Sequence, residues 1–495
     1  MFISHLLTSL IIIPLAGCLH LLCFNYNSND SIKSVGLWYS FFTLIFSCFL
    51  WIFFDNCTSD FQFVESYHWL DDFNIHFVFG IDGISLFFII LTTLLIPLCL
   101  LASWTGIQKR VKEYIIAFLI IESILIAVFS ILDVLLFYVF FESVLIPMFL
   151  IIGFWGSRES KIRAAYLFFI YTLFGSVLIL LAILYLYSTF GTTDYCMLYE
   201  ISSRLSSDIQ KLLWLAFFIS FASKFPLIPF HIWLPQAHVE APTAGSVILA
   251  GVLLKLGSYG LLRYSMPLFP EATFFFIPLG FTFGSIGIIY AAFTAIRQTD
   301  IKRVIAYARV SHMGVVLIGI FSLNVQGLEG SILQMLRHGL VSGALFLCVG
   351  VLYDRHHSRL IKYYRGVAHL IPVFVSFFLF FTIANIALPG SSRFIGEFLI
   401  LAGTFQANAT VCFLGSTGIV FGGVYSLWLF NRISFGNLKI QYLDQFQEIN
   451  RREFITFLPL VCLTLVIGLY PSLFLDPIHF TVLGWLEHLY VGVLT

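Results

Sequence analysis

Apolar segments long enough to cross a membrane recur along almost the whole chain, and they limit what the chain can fold into. Most contain about 18 or more residues with few charges. Backbone N–H and C=O groups find no water in the hydrocarbon of a bilayer, so only helices and closed barrels span it stably. Segments of this length fit helices. The sequence therefore predicts an all-α polytopic membrane protein.

The apolar pattern predicts about fourteen transmembrane helices joined by short polar connections. The predicted spans are residues 3–24, 34–54, 84–104, 113–131, 133–155, 163–187, 211–233, 243–264, 273–293, 301–322, 328–353, 369–405, 411–432 and 455–475. The longest polar connections are 55–83 and 188–209. Neither a basic region before the first span nor an obvious cleavage site after it is present, so we expect this span to be retained.

Basic residues are distributed unevenly between the two sides of these spans. When residues at the edges of spans are counted with the connections, most of the 26 Lys and Arg residues, Lys439 among them, lie in connections after odd-numbered spans. Connections after even-numbered spans hold only Arg204, Lys211 and Arg263. Connections rich in Lys and Arg stay on the cytoplasmic or matrix side. We therefore expect the odd-numbered connections on that side and both termini on the other, where the acidic connection 55–83 also fits.

Cysteine spacing, motifs and charge argue against several kinds of site. The nine cysteines form no C-x-x-C pair, so neither an iron–sulfur cluster nor a zinc site is indicated. The chain contains neither G-x-G-x-x-G nor a Walker loop, so we expect it to bind neither nucleotide nor flavin. A formal net charge of zero argues against a nucleic-acid partner. We expect neither a cofactor nor a metal on this chain.

Two predicted spans contain helix-breaking residues. Lys224 in the seventh span is followed by Pro226 and Pro229, and the twelfth span, which is too long for one straight helix, contains LPGSS at 388–392. Proline interrupts a helix, so we expect helices 7 and 12 to be discontinuous. They lie five spans apart, and an odd offset makes the two halves inverted repeats. The predicted regions are an N-terminal three-helix region (1–112), a first repeat of helices 4–8 (113–264), a second, inverted repeat of helices 9–13 (265–432) and a C-terminal loop with helix 14 (433–495).

Ionisable residues inside the spans are candidates for a functional site, because a charge at mid-depth is costly unless it is paired, hydrated or neutralised. Glu142 lies about 14 Å into its span, counted from Asp133. Lys224 lies at a similar depth, on the helix that the prolines open. We predict that Glu142 and Lys224 form a functional pair. The alternative is a static ion pair that only fixes helix packing.

Lys255 and Glu397 are two further charges near mid-depth. Lys255, in GVLLKLGSYG, lies roughly 18 Å into its span without an acidic residue within a helical turn. Burial without a partner favours the neutral amine, as a proton carrier requires; the alternative is a side chain that extends to the membrane surface. Glu397 follows the break in the twelfth span, and Arg393, four residues earlier, could simply pair with it.

Histidines and a third acid complete the set of candidates. His312 and His338 lie within spans and could relay protons, since imidazole titrates near neutrality, although either could be a hydrogen-bonded structural residue. Glu122 could pass protons to Glu142 or face a neighbouring chain. We expect Asp133, at a helix start, to cap that helix.

These groups form a row of ionisable side chains across the membrane plane. The row consists of Glu142 and Lys224, then Lys255, then His338 or His312, then Glu397. Water in the gaps would let protons pass, and a change of charge at one group alters the proton affinity of the next. The row predicts an element that moves protons without redox chemistry of its own.

Several long motifs resemble one known family. The segment KFPLIPFHIWLPQAHVEAPTAGSVILAGVLLKLGSYGLLR resembles the signature of the antiporter-like chains of proton-pumping NADH–ubiquinone oxidoreductase, respiratory complex I. The same family is resembled by FFESVLIPMFLIIGFWGSR, TDIKRVIAYARVSHMG, QMLRHGLVSGALFLCVGVLYDR and NIALPGSSRFIGEFLILAGTF. The resemblance covers nearly the whole chain and is weakest towards its N-terminus.

The resemblance implies fourteen helices with two inverted five-helix repeats. It places Glu142 and Lys224 at the family's charged pair, Lys255 at its central lysine and Glu397 at its terminal group. Chains 2 and 5 of the complex carry a lysine at that last position, whereas a glutamate is typical of the remaining antiporter-like type. Chain 5 also has a long C-terminal lateral helix, which we do not expect in a sequence that ends at Thr495.

The resemblance also implies a place in a larger enzyme. NADH, FMN, iron–sulfur clusters and ubiquinone would be bound by other subunits of an NADH:ubiquinone reductase, while this chain moves protons from the matrix to the intermembrane space. We expect neighbouring antiporter-like chains, other membrane-arm subunits and lipid as partners. The 57 phenylalanines are typical of an AT-rich organelle genome. Together with the HVEAPTAGSV and GEF segments, they favour the mitochondrial inner membrane.

Two other functions remain open at this stage. A subunit of a Mrp-type cation/proton antiporter would share the lysine and glutamate framework without quinone chemistry. A structural membrane scaffold would leave the charges at mid-depth without a reason.

Overall fold

Helices account for most of the structure, a computed structural model that describes residues 5–25, 28–438 and 447–494. Within these residues, 11 helical stretches are long and apolar enough to cross a membrane. The prediction of a helical membrane protein is confirmed. The start of the predicted 3–24 span, Lys439 and Thr495 lie outside the described residues.

The helices follow one another through short connections. The first half of the chain contains α1 Leu6–Leu22, α2 Asn29–Phe53, α3 Gly83–Ala102, α4 Val111–Ser130, α5 Val134–Ser143, α6 Leu145–Trp155, α7 Lys161–Phe190, α8 Tyr195–Ile201, α9 Ser207–Lys224, α10 Trp233–Glu240 and α11 Thr243–Ile248. The second half contains α12 Leu254–Gly260, α13 Met266–Leu268, α14 Pro270–Phe275, α15 Ile277–Ile296, α16 Ile301–Phe321, α17 Val325–His356, α18 Pro372–Ile386, α19 Ser392–Ala407, α20 Ala409–Ser434, α21 Arg451–Leu469 and α22 Ser472–Leu494. The stretch Thr243–Leu268, α16 and α17 are almost completely buried, so they form the centre of the bundle.

The seventh predicted span is interrupted where its prolines predict. Helix α9 ends at Lys224, and α10 begins at Trp233. The Trp233 indole donates a 2.8 Å hydrogen bond to the carbonyl of Ser223, a group that the end of α9 leaves without a helical partner. Lys224 is the last residue of α9, where the helix dipole favours a positive charge.

The twelfth predicted span is interrupted in the same way. Helix α18 ends at Ile386, and α19 begins at Ser392. Between them Ala387 and Gly390 have φ of 70° and 87°, a left-handed backbone that continues neither helix. The break frees the carbonyl of Asn385, and Arg393 donates to it.

A further interruption beside Glu142 was not predicted. Helix α5 ends at Ser143 and α6 begins at Leu145. Pro147 accounts for it, because a proline ring clashes with the carbonyl four residues earlier, here that of Ser143. Close to this interruption, the carbonyl of Phe141 accepts a hydrogen bond from Lys224.

The helix that carries Lys255 contains a π-helical segment on each side of it. These segments are Leu249–Leu253 and Leu261–Ser265. Such segments shift backbone hydrogen bonds to residues five apart and are frequent at functional sites. The helical stretch continues to Leu268, beyond its predicted end at residue 264, so Arg263, which was counted with the following connection as an edge residue, lies within it. Arg263 is buried and forms an ion pair with Asp82, the N-cap residue of α3.

The two long polar connections contain structure that was not predicted. An antiparallel hairpin, β1 Gln62–Leu70 and β2 Ile75–Ile81, lies in the first connection. Its turn places Asn74 in the left-handed region, with φ of 51°, a conformation that asparagine tolerates. The second connection contains the short helix α8.

Helix α22 lies across the end of the bundle on the hairpin side. The Thr481 hydroxyl accepts a 3.1 Å hydrogen bond from the backbone N–H of Gly83, at the start of α3. Trp485 donates to the carbonyl of Leu262 at 2.9 Å, and Tyr490 donates to that of Leu323 at 3.1 Å. Gly83, Leu262 and Leu323 lie near helix ends on the same side of the bundle, so α22 covers that side. No helix beyond residue 475 was predicted.

Candidate functional site

Glu142 and Lys224 are in contact. Lys224 Nζ lies 3.1 Å from Glu142 Oε1, an ion pair that lacks hydrogen-bond geometry. The ammonium also donates a 2.5 Å hydrogen bond to the carbonyl of Phe141 and lies 3.1 Å from the centre of the Phe141 ring. The Lys224 side chain is 5% exposed and that of Glu142 is 14% exposed. The contact is the predicted one, and the interruptions after α5 and α9 make room for it.

Lys255 is completely buried at the centre of the bundle. Its Nζ donates a 2.6 Å hydrogen bond to the carbonyl of Ala250, within the first π-helical segment, and lies 3.0 Å from His338 Nδ1. Among the residues that the structure describes, no carboxylate forms an ion pair with it. The isolation from acids expected of a carrier is therefore present, and so is a direct contact with an imidazole.

His338 and His312 lie next to each other on α17 and α16, and both are buried. Their ring centres are 5.8 Å apart, in an edge-to-face arrangement. His312 Nε2 lies 2.8 Å from the hydroxyl of Tyr425 on α20. The sequence left open whether His338 or His312 joins the row. The structure places both in it, one after the other.

Glu397 lies at the far end of this row and forms an ion pair with Arg393. Its Oε1 also accepts a 3.1 Å hydrogen bond from Gln334 on α17. Tyr425 is hydrogen-bonded to Arg393, so the hydroxyl connects His312 with the Arg393–Glu397 pair. The local pair that the sequence offered as an alternative is thus present, and it belongs to the same network.

Sequence reasoning missed Gln334, Arg337 and Tyr425, although the sequence contained a signal for the first two. Gln334, Arg337 and His338 are spaced as i, i+3 and i+4, which places them on one face of a helix. That spacing marks Gln334 and Arg337 as neighbours of His338. Tyr425 gave no such signal, because a single tyrosine in an apolar span is ordinary.

Arg309 of α16 lies beside the row. It donates a 2.8 Å hydrogen bond to the carbonyl of Ser342 and lies 3.3 Å from His238 Nε2. Its guanidinium is stacked 3.8 Å from the centre of the Phe346 ring. Arg309 thus adds a fixed positive charge near the histidines.

The structure contradicts one of the two alternatives for Glu122, and passage of protons to Glu142 stays a prediction. Glu122 is completely buried, so it does not face a neighbouring chain. It accepts a hydrogen bond from Thr43 of α2, and the structure shows no contact between Glu122 and Glu142 among the described residues. Asp133 caps α5 by accepting a 2.8 Å hydrogen bond from the N–H of Leu136, which confirms the predicted cap.

The helices that carry Lys224 and Lys255 pack closely at Gly257. A Cβ atom there would lie 2.6 Å from the backbone nitrogen of Phe225 and 2.7 Å from the carbonyl oxygen of Phe221. Only glycine allows this approach. No described side chain bridges the two lysines, so a proton passing between them requires water.

Two cavities open at opposite ends of the Lys255 helix. One of about 590 Å³ is lined by residues that include Thr243, at the helix start, Lys302 and Asp354. Another of about 590 Å³ includes Arg263, near the helix end, and Asp82. The residues that line these two cavities include Lys302 and Arg263 but not Lys255, so neither cavity reaches the buried row itself.

One group of side chains on the hairpin has metal-ligand chemistry. The ligand atoms of His68, Asp71 and His76 all lie within 4.8 Å of one another, and His68 and Asp71 are exposed. The group lies apart from the buried row and plays no part in it.

Comparisons with known proteins agree on the family. A family model described as NADH:quinone oxidoreductase/Mrp antiporter, TM, matches residues 132–422. The chain is 57% identical to NADH-ubiquinone oxidoreductase chain 4 of Chondrus crispus, with 98% of each chain covered. It is 57% identical to chain 4 of Triticum aestivum and 55% identical to that of Marchantia polymorpha, with 97% of each chain covered.

Solved structures agree with this result. A chain of respiratory complex I from Thermus thermophilus, solved with bound NADH, matches with a TM-score of 0.87 and 28% identity, covering 98% of this chain and 99% of the other. A chain of an archaeal membrane-bound sulfane sulfur reductase matches with a TM-score of 0.84 at 20% identity, covering 95% of this chain and 77% of the other, a likeness of fold alone. The chain therefore belongs to the antiporter-like family of NADH:quinone oxidoreductase membrane subunits, and within that family to the NADH-ubiquinone oxidoreductase chain 4 type.

Proposed function

We propose that this chain translocates protons in the membrane arm of an NADH:ubiquinone oxidoreductase, driven by quinone reduction in other subunits. The observation that carries the proposal is the buried row of Lys255, His338, His312, Tyr425, Arg393 and Glu397. Lys255 Nζ lies 3.0 Å from His338 Nδ1, and the Tyr425 hydroxyl lies 2.8 Å from His312 Nε2. Ionisable groups inside a membrane protein are costly to bury, and they commonly mark the path of protons or ions.

Each group has a separate task in this proposal. Lys255 is the central carrier, which gives a proton to His338 and is refilled through water. His312 and the Tyr425 hydroxyl pass the proton on by exchange of hydrogen bonds, and Glu397 receives it. Proton transfer requires heavy atoms within about 2.6–3.2 Å, directly or through one water. The contacts of Lys255 with His338 and of His312 with Tyr425 meet this limit directly, and the step between the two imidazoles needs a small ring movement or a water. The step from Tyr425 to Glu397 also needs a water, because Arg393 keeps its proton.

The pair Glu142–Lys224 serves as the input for coupling. In the closed pair, Lys224 is held at Glu142, away from Lys255. Opening the pair would leave an unbalanced positive charge that acts on Lys255 through a medium of low dielectric, where charges interact strongly. The charge on Lys224 would thereby favour release of the proton from Lys255 towards His338.

The finer architecture follows from the same proposal. Fourteen transmembrane helices with the inverted repeats 113–264 and 265–432 would place the two broken helices at matching sites. The basic connections would face the matrix of a mitochondrion, with both termini and α22 towards the intermembrane space. Neighbouring antiporter-like chains, other membrane-arm subunits and lipid would contact the apolar outer surface. NADH, FMN, iron–sulfur clusters and ubiquinone would be held by other subunits.

A Mrp-type cation/proton antiporter remains the second candidate, because the matching family model names both kinds of protein. The identity of 57% to a chain 4 favours the oxidoreductase. Purification of this chain from its native membrane decides between them. Association with NADH oxidation activity supports the proposal, and isolation with other antiporter subunits but without that activity contradicts it.

The proposed coupling is tested by Glu142→Ala and Lys224→Ala in the assembled complex. Each change breaks the pair and leaves one buried charge alone, which costs about 3–5 kcal/mol in the interior of a protein. We expect lower rates of quinone reduction and of proton pumping in both variants. A variant that assembles and pumps at the normal rate shows that the pair is only structural.

A further inference from the structure

Arg337 is a buried cation without a hydrogen-bond acceptor among the described residues. Its side chain is completely buried, and Nε, Nη1 and Nη2 all lack an acceptor. A guanidinium stays protonated and carries five N–H donors. A buried charge that is not hydrogen-bonded is costly, so Arg337 requires an acceptor that the present arrangement does not supply.

Glu397 has the matching free acceptor. Its Oε1 accepts from Arg393 and from Gln334, whereas its Oε2 is buried and has no partner among the described residues. Gln334 precedes Arg337 by three residues on α17, so the two side chains leave the helix on the same face. The charge of Glu397 acts on Arg337. Arg337 is therefore placed to bind the oxygen that Arg393 leaves free.

Arg393 has other acceptors if the carboxylate leaves it. It donates to the carbonyl of Asn385 at the end of α18 and is hydrogen-bonded to Tyr425. The break between α18 and α19 thus supplies Arg393 with a permanent partner. The two arginines differ in this respect, because Arg337 has none of these contacts.

We propose that the Glu397 carboxylate exchanges between Arg393 and Arg337, and that Arg337 is the residue that positions Glu397 for proton transfer. The inference rests on the proposed function. In the present arrangement the carboxylate is held at Arg393, beside Tyr425. Rotation of the Glu397 side chain brings Oε2 to the guanidinium of Arg337.

The exchange depends on whether Glu397 carries a proton. A proton arriving from the Tyr425 side neutralises the carboxylate and removes the charge that holds it at Arg393. The neutral acid can then rotate towards α17, and the charge of Arg337 favours loss of the proton from it to water. The charged and titratable groups beside the acid are Arg337 on α17, Arg393 on α19 and Tyr425 on α20, and His312 on α16 lies beyond the Tyr425 hydroxyl. Only a proton moves, and each arginine keeps its own.

The test compares Arg337→Gln, Arg337→Lys and a matched control, Arg359→Gln, in the assembled complex. Arg359 is also a buried arginine whose guanidinium lacks hydrogen bonds among the described residues, but it lies near Asp300, away from the row. The readouts are the amount of assembled complex, the ratio of protons pumped to electrons transferred, and the infrared band of the protonated Glu397 carboxyl group, which is assigned with Glu397→Gln.

We expect Arg337→Gln to shift or remove the Glu397 band and to slow pumping about tenfold, the effect of losing one hydrogen bond to a charged group that positions the acid. Arg337→Lys keeps the charge but not the planar fork, so it should shift the band and restore part of the rate. Arg359→Gln should change assembly at most and leave the band in place.

An unshifted band and a normal proton-to-electron ratio in Arg337→Gln overturn the proposal. Where Arg337→Gln does not assemble, Arg337→Lys decides: an unshifted band there has the same meaning. Failure of the proposed function gives a different result, because the Glu397→Gln variant would then pump normally. Loss of pumping in Glu397→Gln together with normal behaviour of Arg337→Gln rejects only the exchange.

Discussion

Replacing Tyr425 with phenylalanine removes a single oxygen atom and tests whether the row is continuous. Tyr425 is 1% exposed, and its hydroxyl lies 2.8 Å from His312 Nε2. Without the hydroxyl, a buried imidazole nitrogen loses its partner, at a cost of about 1–3 kcal/mol. If that cost falls on the transfer step, the rate falls roughly 5- to 150-fold, since about 1.4 kcal/mol corresponds to a factor of ten.

The assay uses the assembled complex in sealed vesicles. The rate of ubiquinone reduction and the ratio of protons pumped to electrons transferred are measured together. Tyr364→Phe is the matched control, because Tyr364 is also buried and its hydroxyl donates a 2.7 Å hydrogen bond to the carbonyl of Ser358, outside the row. Tyr425→Phe should lower the coupled rate or the ratio, and Tyr364→Phe should change neither. Equal values in both variants would refute a path through Tyr425.

Three other changes test separate parts of the structure. Gly257→Ala places a methyl group 2.6 Å from the backbone nitrogen of Phe225, so it should push the Lys224 and Lys255 helices apart. We expect a loss of stability of about 1–3 kcal/mol and less assembly and pumping. Normal pumping would mean that the spacing of the two helices is unimportant. Asp133→Ala should destabilise α5 by about 1 kcal/mol in thermal melts of the complex whereas Asp133→Asn should keep the cap, and equal melts would argue against capping. Thr43→Val removes the hydrogen bond to Glu122 and should reduce stability without changing the proton-to-electron ratio, whereas a changed ratio would place Glu122 in the path.

Features that depend on the cost of burying charge could be predicted from the sequence. A lysine or glutamate in an apolar span needs a partner, and this requirement led to the contact between Glu142 and Lys224. Proline removes a backbone donor wherever it lies, so the ends of α9 and α18 near Pro226 and LPGSS were predictable. Pro147 acts by the same rule, and the interruption at Ser143 could have been predicted from it.

Other features depend on contacts between distant segments. The hairpin lies in a segment that is too polar to be predicted as a span. Helix α22 is positioned by contacts with distant residues, such as that of Trp485 with Leu262. The link between His312 and Tyr425 joins residues 113 positions apart, so no local pattern indicates it. Arg263 was counted with a connection because it lies at the edge of its predicted span, and its burial beside Asp82 depends on a contact between distant segments.

The central claim is that Lys255 carries protons, and Lys255→Arg tests it most directly. Arginine keeps the positive charge but does not release its proton at accessible pH. Vesicles containing the assembled variant would be assayed for protons pumped per electron transferred. We predict that the ratio falls while the amount of assembled complex is maintained. An unchanged ratio at a normal rate of quinone reduction would contradict a carrier role for Lys255.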